Sequence, residues 1–144
     1  MSKIDSVGDD RQVDLYRAAK HGDERWARRL IENGSPASEA NEHGVTPLHA
    51  AARYGNIGVL RLLLDAGAEA NAVDRDGYTP LHWAARNGSH DGIRALLACG
   101  ADPGLRDRAG LSPEDVARAR GDQRSAELLR TALQRHAGAG RMHD

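Results

Sequence analysis

Apolar positions along the chain recur at helical spacing. Leu48, Ala51 and Ala52 fall at i, i+3 and i+4, and Val59, Leu60, Leu63 and Leu64 form a second stripe a few residues on. Gly55 separates the two stripes and Gly67 follows the second. This pattern predicts a short helix, a glycine stop, a second helix, another glycine stop and a polar loop, 74–77, with turn chemistry. Thr46 suits the N-cap of the first helix, where its hydroxyl can accept from an orphan backbone N–H. Pro47 suits the next position, where a missing N–H costs nothing. Alanine at 51 and 52 keeps the buried face thin, so neighbouring helices can approach closely.

The whole pattern repeats. Thr46-Pro47-Leu48-His49-Ala50-Ala51-Ala52-Arg53-Tyr54-Gly55 returns as Thr79-Pro80-Leu81-His82-Trp83-Ala84-Ala85-Arg86-Asn87-Gly88, an offset of 33 residues. Three glycine series keep the same offset: Gly22, Gly55, Gly88 and Gly121; Gly34, Gly67 and Gly100; Gly44, Gly77 and Gly110. Segments 46–77 and 79–110 share sixteen of thirty-two residues, which excludes coincidence. Such a period reads as stacked supersecondary units, each too small to bury its apolar face alone.

The Thr-Pro-Leu-His-x-Ala motif at 46–51, the period and the Leu-Leu-Leu-x-x-Gly-Ala run at 62–68 resemble the ankyrin repeat. The resemblance covers residues 13–136. It implies an all-α repeat solenoid, an ankyrin repeat stack of helix-turn-helix units with β-hairpin-like finger loops. The units are 13–45, 46–78, 79–111 and 112–136, two full repeats flanked by N- and C-terminal capping repeats. The outer units lose the motif where a stack must meet water. Val13, Asp14, Leu15 and Tyr16 replace the Thr-Pro-Leu-His opening, and Arg25, Arg28 and Arg29 make the next helix polar. In the last unit Glu114, Asp115 and Arg118 replace the motif leucine, histidine and second alanine. Residues 1–12 are expected to be flexible and 137–144 to form a disordered tail.

Composition narrows the function. The chain has 144 residues, a formal net charge of -1 and one cysteine. That length suits one domain. No apolar run of about 18 residues exists, so no membrane span is expected. The first residues lack an apolar signal region, which favours a cytoplasmic location. Near-neutral charge gives no general attraction to nucleic acid or membrane. Aromatic residues make up only 3%. Leucine and alanine closing successive helix pairs explain that scarcity, since no single wide core needs filling.

No motif for a nucleophile and base, a phosphate-binding loop or a zinc-binding helix occurs. The expectation is therefore no enzyme, no cofactor and no metal. The resemblance implies that His49 and His82 are structural, bonding the loop backbone and the motif threonine. Cys99 stands near a helix C-terminus, where the field does not activate a thiol. Asn33 and Asn87 match a glycosylation pattern, but their following glycines belong to the structural series. Asn71 resembles a loop asparagine that hydroxylases modify in some ankyrin proteins, and a turn-stabilising role is preferred.

The resemblance implies that partners sit in a concave groove formed by the fingers and first helices. The variable positions there include Arg53, Tyr54, Arg75, Asp76, Tyr78, Trp83, Arg86 and Asn87, the candidate partner-binding residues. Aromatic residues and arginine are enriched at interface hot spots. Trp83 fits either core or interface. Lys20, Arg53, Arg86 and Arg120 make the first-helix row basic, which favours a protein partner with an acidic patch. The expected function is a non-catalytic protein-protein interaction module, a monomer when free. The alternative is a dedicated regulatory or immunity-type subunit that inhibits or stabilises one enzyme.

Overall fold

A computed structural model gives the backbone of residues 7–142 and the side chains of 14–137. Among the described residues eight helices follow one another: α1 Val7–His21, α2 Glu24–Glu32, α3 Pro47–Tyr54, α4 Ile57–Asp65, α5 Pro80–Asn87, α6 His90–Ala98, α7 Pro113–Ala119 and α8 Gln123–Met142. They pack as consecutive pairs. The first helices, α1, α3, α5 and α7, touch in sequence as one row, and α2, α4, α6 and α8 make a second row behind them.

The caps expected from the motif are present. Thr46 and Thr79 accept from the His49 and His82 N–H groups at 3.2 Å, and Pro47 and Pro80 open their helices. Ser112 and Pro113 do the same for α7, where Asp115 stands in for the motif histidine. The Asp115 carboxylate accepts from the Ser112 N–H at 3.0 Å, and this bond holds its pKa below the usual carboxylate value. The histidine's departure therefore leaves the capping box intact.

The three glycine series are the ten glycines with positive φ. At Gly77 two demands coincide. Its φ is +78°, and a Cβ there would lie 3.0 Å from the Arg108 nitrogen and 3.2 Å from the Asp107 Cα. Backbone cannot swing aside as a side chain can, so only glycine lets one loop lie this close on the next.

Those loops carry no strand among the described residues. The expected hairpin-like finger is instead a closed turn. The Asp74 N–H donates to the Tyr78 carbonyl at 2.9 Å, with equivalents from Asn41 to Val45 and from Asp107 to Leu111. Inside each turn one side-chain oxygen takes two further N–H groups, those of Asp76 and Tyr78 in the case of Asp74. Neighbouring turns are stitched by single bonds, Arg75 N–H to the His43 carbonyl and Arg108 N–H to the Asp76 carbonyl, each 3.0 Å. Side-chain oxygens thus do locally what a ladder would do in a hairpin.

Leucine and alanine form the core. Leu48, Ala51, Leu60, Leu63, Leu81, Ala84, Ile93 and Leu96 are fully buried. Leu64 is only half-buried, on the flank of its stripe. In the first unit Leu15, Ala18, Ala19 and Ala27 are buried while Arg25, Arg28 and Arg29 are exposed.

The ends differ from a simple loose terminus. The segment expected to be flexible, 1–12, is helical from Val7, and the tail expected at 137–144 continues α8 through Met142. Residues 1–6 and 143–144 lie outside the described residues. Gly138 and Gly140 each disfavour helix by only about 1 kcal/mol, and neither is followed by a proline that would enforce a stop.

Candidate functional site

The capping boxes place the histidines before anything else on this face. Within each box the His ring Nδ1 accepts from the threonine N–H at 3.1 Å, which puts the ring proton on Nε2. Nε2 then donates across to the next loop, His49 to the Tyr78 carbonyl at 2.9 Å and His82 to the Leu111 carbonyl at 2.8 Å. Each histidine ties its own helix start to the finger that follows. Burial lowers both pKa values, with the accepting carbonyls of Tyr78 and Leu111 opposing it. Both rings are neutral at pH 7 and both nitrogens are bonded. Among the described residues, no group of three or more His, Cys, Asp or Glu side chains could hold a metal ion.

Five of the eight candidate residues form one contact chain. Trp83 is half-buried at its centre. Its Nε1–H donates to the buried Asp74 carboxylate at 3.2 Å, and the ring meets Tyr78 edge-on at 5.1 Å between centroids. The Arg53 guanidinium lies 4.9 Å and the Arg86 guanidinium 5.4 Å from the Trp83 ring centroid. Arg53 also lies 5.3 Å from Tyr54, which Lys20 approaches to 5.7 Å. The result is a ladder of alternating cations and rings, Lys20–Tyr54–Arg53–Trp83–Arg86, running across three first helices. Each cation–ring contact contributes about 0.5–1 kcal/mol at an exposed position. Among the described residues Lys20, Arg53 and Arg86 form no ion pair, so no described carboxylate neutralises their charge.

The other three candidates stand apart from the ladder. Arg75 is exposed on its loop, with Nη1 3.4 Å from His43 Nδ1. Asp76 is exposed beside it, its backbone engaged in the turn. Asn87 directs its amide to the Ala52 and Arg53 carbonyls at the end of α3. Asn56 performs the same service for Ala19 and Lys20, and Arg120 for Arg86. These side chains cap the open carbonyls of the preceding first helix and lock adjacent units in register.

Tyr78 is half-buried rather than fully presented, because it stacks on His82 with ring centroids 5.6 Å apart and 8° between planes. Sequence reasoning missed Asp74 as the anchor of Trp83. The available signal was its place in the Asn41, Asp74, Asp107 series, which follows the 33-residue offset. Asn71 lies between loops, where Nδ2 donates to the Gly100 carbonyl at 3.2 Å and Oδ1 accepts from the Asp102 N–H at 2.7 Å. Cys99 is an exposed helix C-cap. No described helix is long and apolar enough to cross a membrane.

Among curated proteins, none matches this chain. A family model described as ankyrin repeats in three copies matches residues 15–107. That span contains both Thr-Pro-Leu-His boxes, eight of the ten positive-φ glycines (all but Gly110 and Gly121) and every residue of the cation–ring ladder. By motif, helix pairing and this match, the chain belongs to the ankyrin-repeat family.

Proposed function

We propose that this protein is a non-catalytic module that binds a partner protein through the face formed by its first helices and finger loops. Ankyrin repeats are generally protein–protein interaction modules and typically non-catalytic. The observation that carries the assignment to this face is the Lys20–Tyr54–Arg53–Trp83–Arg86 ladder. It concentrates exposed cations and rings that form no ion pair among the described residues. Arg75, Asp76 and Tyr78 extend it along the fingers, and Asn87 borders it. The partner presents an acidic patch to this strip. The stack holds the strip in place before binding, which reduces the ordering cost on this side.

In this reading residues 13–136 form one cytoplasmic, monomeric ankyrin domain of four units. The pairs α1/α2 and α7/α8 act as its caps. Exposed Arg25, Arg28 and Arg29 at one end, and Arg118, Arg120 and Arg124 at the other, support that role.

The test is affinity capture from native cell extract with mass spectrometry, comparing wild type with the triple variant Arg53→Ala/Tyr54→Ala/Arg86→Ala. Tyr78 stays unchanged because its stacking on His82 couples it to stability. All three substituted positions are exposed, and the four cation–ring contacts they remove are worth about 0.5–1 kcal/mol each, so melting should fall modestly while the variant stays folded, which circular dichroism checks. Hot-spot truncations cost about 2 kcal/mol or more each, so the partner should be lost. A partner recovered equally well by the triple variant would refute the assignment.

A further inference from the structure

The second-helix row holds a feature that the ladder does not explain. α2, α4 and α6 each have nine residues, whereas α8 has twenty. By the repeat offset α6 ends level with Thr131, so α8 overruns its neighbour and lies over the turn that follows α6. A groove of about 980 Å³ opens between them. Its floor is apolar: Leu97, Ala101, Pro103, Leu128 and Ala132. Its rim carries three guanidiniums, Arg94, Arg124 and Arg135, against one carboxylate, Glu127.

Charge on the rim is only partly answered from within. Arg94 lies 3.5 Å from Asp91 across an exposed contact, and His136 lies 3.9 Å from Asp102. Arg124 and Arg135 form no ion pair among the described residues. The lining along α8 runs from Arg124 to His136. At 1.5 Å per residue that is a trough of roughly 18 Å, about three helical turns. It is open along its length, so a small molecule would remain largely wet there, whereas a helix would lay one apolar stripe on the floor.

We infer that the α6/α8 groove is a second docking site, independent of the ladder, for an acidic amphipathic helix of a partner protein. Apolar side chains at i, i+3 or i+4 and i+7 would rest on Leu97, Leu128 and Ala132. Glutamates or aspartates flanking that stripe would meet Arg94, Arg124 and Arg135. The arginine fork suits a carboxylate, since it can donate two parallel hydrogen bonds.

The probe is a fluorescein-labelled synthetic helix of about four turns, with one leucine stripe flanked by glutamates. A control carries lysine for every glutamate. Fluorescence anisotropy with the full chain should show the acidic helix binding and the lysine control failing. Arg124→Glu/Arg135→Glu, at two exposed positions, should weaken binding by at least about tenfold. Ala132→Trp, which fills the floor, should abolish it, provided melting shows the variant folded. Arg53→Ala/Tyr54→Ala/Arg86→Ala should bind the probe as wild type does, which separates this site from the proposed ladder interface. Equal binding of both peptides, no binding of the acidic helix, or indifference to the charge-reversed variant would each overturn the inference.

Discussion

Replacing Leu63 with alanine should lower the unfolding free energy by about 2–5 kcal/mol, the range for fully buried leucines. Leu63 has no exposed surface and lies in the α4 stripe with Val59 and Leu60. Its carbonyl also accepts from the Ala66 and Ala68 N–H groups that close the helix. Its helix, α4, packs against α3 in front and α2 and α6 on either side, so the cavity opens where several elements meet. In a stack each unit touches only its neighbours, so a loss in one central unit weakens both interfaces around it. Leu64→Ala provides the contrast. That side chain is half-buried, and its truncation should cost clearly less. Urea unfolding followed by circular dichroism measures both. A Leu63→Ala change under about 0.5 kcal/mol, typical of exposed sites, would show that the stripe is misassigned.

The second large effect lies in the histidine brackets. His82→Ala should cost about 1–3 kcal/mol, because it leaves the Thr79 N–H without a partner in a dry place and takes one of its two bonds from the Leu111 carbonyl, which keeps the Asp107 N–H. His82 and Thr79 are each 1% exposed, so water cannot readily replace the ring. The same brackets make stability pH-dependent. Burial lowers the pKa of His49 and His82, with the Tyr78 and Leu111 carbonyls opposing it. As pH falls below the ordinary value of 6.5, the unfolded chain binds these protons while the folded chain still excludes them. Stability present at higher pH is therefore lost as pH descends from 6.5 toward the folded-state values. Melting should drop between pH 7.5 and 5.5, and His82→Ala should melt lower at pH 7.5 with a shallower pH slope. A wild-type melting temperature flat across that interval would contradict the brackets.

What the sequence made legible follows the period. The positive-φ glycines, the threonine and proline caps and the buried leucines all recur at one offset, and each reports a backbone demand that few residues satisfy. The features that escaped it do not recur in both type and register. Asn56 and Asn87 share a side chain but not a place in the unit, and Asn87 and Arg120 share the 33-residue offset but not a side chain, so alignment of the units hides their common task. Asp115 replaces a histidine yet rebuilds its cap. Trp83 satisfied neither alternative alone, because its nitrogen is anchored on Asp74 while its faces meet two exposed guanidiniums. The groove beside α8 depends on a helix end that no strong stop signal marks.

The central claim is that partner binding uses the first-helix and finger face. The most direct measurement is hydrogen–deuterium exchange on the chain, free and bound to its captured partner. The account predicts slowed exchange in the turns at 41–45 and 74–78 and at the C-terminal ends of α3 and α5, around Arg53, Tyr54 and Arg86. Protection confined to α4, α6 and α8, with those turns unchanged, would contradict it.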